Sequence, residues 1–173
     1  MKKVLIIDTT VLCCWIGVQR KETCGSDGDV WDKSRVDNQL KKEIEAGATL
    51  VLPLATIIET GNHIAQAPGQ RYEHAQELAK LINQAADHSS PWAAFTDQST
   101  LWNEKGLKDL AQEWPNLASS NISIGDATIK TVAEYYAQMG NHVEILTGDA
   151  GLKAYQPAVP ISIPRRKRHR SHT

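Results

Sequence analysis

Three short apolar runs set the limits on what this chain can become: "VLII" at 4–7, "TLVLPL" at 49–54 and "HVEILTGD" at 142–149. Each is a β-branched-rich stretch of strand length with little alternation, which fits strands covered on both faces, the condition found in parallel sheets. Between them lie segments of helical periodicity. Helices are expected around 11–18, over 36–46 with Leu40, Ile44 and Val36 on one face, over 55–66, and over 71–86 with Tyr72, Ala75, Leu78, Ala79, Ile82 and Ala86 inward. Further helices are expected over 99–113 with Leu101, Leu107 and Leu110 inward, over 123–140 with a stop at Gly140, and over 150–155. Two lesser strands, 92–97 and 159–163, complete the expectation. Strands alternating with helices predict an α/β fold, a three-layer α/β/α sandwich with a mostly parallel central sheet. With 173 residues, one domain spanning 1–163 is expected, followed by a tail at 164–173.

Composition and charge narrow the partners. No apolar run is long enough to span a bilayer, and the apolar stretch after Met1, Lys2 and Lys3 is interrupted by Asp8 and lacks a cleavage signal, so a cytoplasmic protein without a membrane partner is expected. Cys13, Cys14 and Cys24 form neither a disulfide framework nor a metal-ligand spacing and are expected as reduced thiols in or near the core. The net charge of −1 hides an asymmetry: Arg165, Arg166, Lys167, Arg168 and Arg170 follow Pro164 with no acid among them, leaving 14 basic against 20 acidic residues in 1–164. Such a tail suits salt-dependent attraction to RNA phosphates.

A carboxylate at the end of a buried strand needs a reason. Asp8 follows the first strand, Glu59 lies early in the helix after the second, Asp126 opens the long helix and Asp149 follows the third main strand. Ligands of open α/β sheets bind beyond the carboxyl ends of the strands, so all four acids are expected to face one cleft. Each also has a structural explanation. Asp8 and Asp149 suit helix N-caps, Ser123 with Asp126 forms a capping box, and Glu59 suits a solvated face or a pair with Lys41 or Lys42.

In this order the residues resemble the PIN-domain nucleases: "IIDTTVL" with Asp8, "LPLATIIETG" with Glu59, "SIGDATIKTVA" with Asp126 and "ILTGDAGLKAY" with Asp149. Thr147 matches the hydroxyl residue two before the last acid, whereas Thr10 stands where the family often has Asn or Ser; a hydroxyl keeps the hydrogen bond. Segments 19–40 and 88–120 match poorly. The resemblance implies a divalent-metal-dependent endoribonuclease leaving 5′-phosphate and 3′-hydroxyl ends, either the toxin of a toxin-antitoxin pair or a defence effector under a partner's control, with a homodimer through helix 71–86.

Clustered carboxylates raise one another's proton affinity, and a divalent cation relieves the repulsion. All-oxygen ligation favours Mg²⁺ or Mn²⁺ over zinc. Asp8 and Asp126 are expected as principal ligands, Asp149 as a direct or water-mediated one, and Glu59 as the group orienting the attacking water, with Thr10 and Thr147 supporting them or touching phosphate. Two rival readings remain open: a non-catalytic RNA-binding or scaffold domain, and a phosphoacceptor with Asp8 as nucleophile, which lacks a second acid of a D-x-D pair. His63, one turn past Glu59, is expected as a surface or capping histidine. The aspartates at 27, 29 and 32 do not complete a calcium loop. The tryptophans are expected to fill the core, except Trp31, which lies in a polar loop near Lys33 and Arg35.

Overall fold

The computed structural model describes residues 1–159. Its centre is a parallel three-stranded sheet in the order β4-β1-β5, formed by β1 (Lys3–Ile7), β4 (Thr49–Val51) and β5 (His142–Leu146). Val4 to Ile6 pair with Thr49 to Val51 on one side of β1, and Lys3 to Ile7 pair with His142 to Leu146 on the other. The alternation of β1 divides the core in two. Leu5 and Ile7 pack with Val11, Leu12, Val36, Leu40, Leu50 and Leu78, and Val4 and Ile6 pack with Val51, Ile129, Val132, Val143 and Ile145. A strand buried on both faces explains the unbroken apolar run at 4–7, and each such side chain contributes about 1.5–3 kcal/mol of transfer free energy.

The helices are α1 (Thr9–Ile16), α2 (Lys33–Glu45), α3 (Leu54–Gln66), α4 (Arg71–Ala86), α5 (Glu104–Ser119), α6 (Ile124–Gln138) and α7 (Ala150–Lys153), with a 3₁₀ helix at Phe95–Trp102. The chain is thus α/β, with a sheet smaller than the number of expected strands implied. Among the described residues, no helix is long and apolar enough to cross a membrane.

Several expectations need correction. Residues 92–97 make one parallel bridge, Trp92 to Leu50, before turning into the 3₁₀ helix. The helix expected at 99–113 is α5, shifted to Glu104–Ser119 and running through Pro115, with Leu110, Trp114 and Leu117 half-buried and Leu107 47 % exposed. In α2 the inward side is Val36, Leu40 and Glu43, and Ile44 is exposed. In α4 it is His74, Leu78 and Ala85, whereas Tyr72 is 72 % exposed and Ala75, Ala79 and Ala86 face outward. Alanines are too weakly hydrophobic to fix the rotation of a helix, so Leu78 and its neighbours decide it. Of the five tryptophans only Trp92 is fully buried; Trp15, Trp31, Trp102 and Trp114 are half-buried. Cys13 and Cys14 are buried free thiols and Cys24 is a half-buried one, as expected.

The polar loop around Trp31 carries an antiparallel hairpin of β2 (Thr23–Cys24) and β3 (Trp31–Asp32), and Asp32 caps α2. Apart from Val159, the expected edge strand at 159–163 lies outside the described residues, as does the basic tail with Arg165, Arg166, Lys167, Arg168 and Arg170.

Candidate active site

Parallel strands deliver their carboxyl ends to one side of the sheet. Ile7 and Leu146 are paired neighbours there, the Asp8 amide donates to the Leu146 carbonyl at 3.1 Å, and the Thr56 hydroxyl ties α3 to the Ile7 carbonyl at 2.9 Å. The segment after each strand therefore opens at the same place.

A chain of short links then joins the four acids. Thr147 donates its hydroxyl to Asp8 Oδ2 at 2.7 Å and accepts from the Asp149 amide at 2.9 Å. Thr9, next to Asp8, donates its hydroxyl to Glu59 Oε2 at 2.8 Å. Glu59 Oε1 lies against Gly125, where a Cβ would sit only 2.0 Å from it, and Asp126 is the next residue. Thr10 donates its hydroxyl to Asp8 Oδ2 at 2.7 Å and accepts from the Gly148 amide at 3.0 Å. The threonines at 10, in the first turn of α1, and at 147, after β5, thus hold the Asp8 carboxylate from two sides, with Asp8 only 2 % exposed.

The structural explanations of these acids are correct as far as they go. Asp8 caps α1, accepting from the Thr10 amide at 3.3 Å, and Asp149 caps α7, accepting from Gly151 and Leu152 at 2.6 and 3.1 Å. Ser123 caps α6 by accepting from the Asp126 amide at 3.0 Å, while its hydroxyl donates to Asp126 Oδ2 at 2.8 Å. Glu59 pairs with Thr9, and with neither Lys41 nor Lys42. Yet these bonds occupy one oxygen of each carboxylate: Oδ2 of Asp8, Oε2 of Glu59, Oδ2 of Asp126 and Oδ1 of Asp149. Among the described residues the second oxygen of each has no hydrogen-bond donor, so capping and ligation are compatible in the same side chain.

Electrostatics records the crowding. Burial pushes the Glu59 carboxyl above its usual range, the Thr9 hydrogen bond opposes this, and the charges of Asp126 and Asp8 add to it. Asp126 is likewise raised, first by burial, against the Ser123 hydrogen bonds and with the charges of Asp8 and Asp149. Free, hard oxygen donors in mutual repulsion fit a divalent ion of the Mg²⁺ or Mn²⁺ type. Among the described residues, however, no three His, Cys, Asp or Glu side chains are gathered closely enough to form a closed ligand cage. The fit is one of donor chemistry and free oxygens. Burial pushes the Cys13 thiol up to about 11 and Cys14 to about 12, so both are protonated thiols in the metal-free chain.

Two pockets flank the acids. One, of about 150 Å³, is lined by Thr9, Thr10, Lys21 and His63, with the imidazole pushed below its usual range by burial and the Lys21 charge. The other, of about 300 Å³, is lined by Trp31, Thr147, Gly148 and Asp149. A larger cavity of about 500 Å³ opens elsewhere, beside Lys2, Thr49 and Trp92, away from the four acids.

Thr9, Gly125, Gly148 and Lys21 were not legible as site residues. A glycine directly before an acid, in "IGD" and "TGD", was the available signal. At Gly125 the missing Cβ admits Glu59; at Gly148 a Cβ would lie 2.7 Å from Cys24 Sγ and the Gly25 amide. Compared with protein-family models, with curated proteins and with solved structures, the chain gives no match.

Proposed function

We propose that this chain is a Mg²⁺- or Mn²⁺-dependent endoribonuclease of PIN type, with its catalytic centre at Asp8, Glu59, Asp126 and Asp149. The observation that carries the reading is that, among the described residues, four acids from separate parts of the chain each spend one oxygen on positioning and leave the other free, without a cation among their hydrogen-bond partners.

The parts then divide as follows. Asp8, clamped by Thr10 and Thr147 on a rigid strand end, and Asp126, fixed by Ser123, would be the principal metal ligands. Asp149, the exposed member, would complete the set directly or through water. When bound, such an ion supplies Lewis acidity toward the phosphodiester and lowers the pKa of the attacking water. Glu59, whose raised proton affinity suits it to take up a proton, would orient that water and accept its proton. Lys21 and His63, at the edge of the same site, suit contact with backbone phosphate.

The three-layer α/β/α arrangement belongs to the same proposal, supported by the two apolar clusters on opposite sides of β1. So do a cytoplasmic setting, control by an antitoxin or regulatory protein, RNA attraction by the tail of Arg165, Arg166, Lys167, Arg168 and Arg170, and a homodimer through α4. Tyr72, Ala75 and Ala79 on the open side of α4 support the last.

The test is incubation of the purified full chain with cellular RNA in Mn²⁺, Mg²⁺ or EDTA, with mapping of new 5′ ends. Cleavage with either metal, abolished by EDTA and by Asp8→Asn, is expected. RNA left intact by a folded, metal-supplied protein would return the chain to the non-catalytic RNA-binding reading.

A further inference from the structure

The hairpin β2–β3 is a wall of the site. Its Cys24 and Gly25 pack so closely on Gly148 that any Cβ there would collide, which fixes the hairpin to the turn carrying Thr147 and Asp149. At its far strand, Trp31 is braced: the Arg35 guanidinium carbon lies 4.1 Å from the ring centroid, and Arg35 is itself held by the Asp29 carboxylate at 2.5 Å and the Val30 carbonyl at 2.8 Å. The half-buried ring lines the pocket of about 300 Å³ that it shares with Ser26, Gly148 and Asp149.

We infer that this pocket seats an unpaired nucleobase of single-stranded RNA beside the bond to be cut, with Trp31 as the stacking surface. This rests on the nuclease reading for its substrate. What the pocket offers a base is the Trp31 ring face not covered by Arg35 for its π face and the Ser26 hydroxyl for its polar edge, with the Asp29 carboxylate and Lys153 also on the lining. Rigidity matters as much as area, because a ring already held by Arg35 loses little further freedom when a base stacks on it. A base inside a duplex is not available to such a ring, so the pocket selects single strands.

The experiment measures fluorescence anisotropy of a labelled single-stranded RNA of roughly ten nucleotides and of its duplex, using the full chain carrying Asp8→Asn to prevent cleavage. Adding Trp31→Ala is expected to weaken single-strand binding about ten-fold or more, Trp31→Phe to restore most of it, and duplex binding to stay unchanged. Single-strand binding that is absent in the Asp8→Asn parent, unaffected by Trp31→Ala, or lost by Trp31→Ala and Trp31→Phe alike would overturn the inference. Cleavage by the wild-type chain, measured on the same RNA, separates the two ideas. A cleaving enzyme indifferent to Trp31 sinks the pocket alone, and Trp31-dependent binding without cleavage sinks the nuclease reading alone.

Discussion

Two groups of carboxylates in this fold are held in opposite ways. Glu144 on β5 and Glu43 on α2 meet Lys3 at 2.9 and 2.6 Å, and Lys153 reaches Glu144 at 3.3 Å. Burial alone would raise Glu144, but the hydrogen bond from Lys3 and the Lys153 charge hold it below its usual range. In the acid cluster beyond the carboxyl ends of the strands, Glu59 and Asp126 are raised. Their hydrogen-bond donors are threonine and serine hydroxyls, which position a carboxylate without cancelling its charge. Lys153, which lines the pocket containing Asp149, is committed to Glu144 and the Ile145 carbonyl. The structural acids are given a lysine by the fold; the acids of the candidate site are left to repel one another, which the proposed divalent ion would relieve.

That contrast can be broken from either side. The largest effect is expected from Asp8→Asn, which keeps an acceptor for Thr10 and Thr147 and a good N-cap but replaces the free oxygen with an amide. Cleavage should fall on the order of a thousand-fold or more, with the thermal midpoint of the metal-free protein unchanged or raised. Lys3→Met attacks the other group. It leaves Glu43 and Glu144 facing each other and should destabilise the protein by about 2 kcal/mol in denaturant titration, with cleavage per folded molecule unaffected.

Gly125→Ala sharpens the comparison inside the site. The new Cβ must displace the Glu59 carboxylate, a flexible group, so stability should hold within about 1 kcal/mol while kcat drops roughly a hundred-fold through misplacement. Retained kcat would remove Glu59 from the chemistry.

The smallest effect is in pH. Raised carboxyls in the folded state mean that the native protein binds more protons than the unfolded chain just above the ordinary values of 4.5 for Glu59 and 3.8 for Asp126. Their contribution is complete below those values and is lost as pH rises through the folded pKa, so metal-free stability should decline there. Glu144 works in the opposite sense. Glu59→Gln should flatten the decline in chemical denaturation at a series of pH values, and an unchanged slope would argue against the repulsion.

How much of this was readable depended on how strongly each segment constrained its own surroundings. β1 was clear because Val4 to Ile7 had to be buried on both faces, and α6 because Ser123 and Gly140 mark its ends. The hairpin was not, since two-residue strands carry no periodicity, and 92–97 was misread because one bridge at Trp92 is a tertiary accident of Leu50. The run of α5 through Pro115 overrode a local stop signal. Within the candidate site, Asp8 and Asp149 stood out in the sequence by their positions after strands, and Glu59 and Asp126 by their places early in helices. The elements that join them did not, because Thr9 and Gly125 acquire meaning only when α1, α3 and α6 meet.

The central claim is that the free oxygens of the four acids converge on one kind of ligand, and calorimetric titration of Mn²⁺ into the metal-free full chain at neutral pH tests it most directly. Saturable binding that is lost in Asp8→Asn and weakened in Asp126→Asn is predicted, with Lys3→Met binding as the wild type does. A folded wild-type chain that takes up no Mn²⁺, or binds it equally well without the Asp8 carboxylate, would contradict the account.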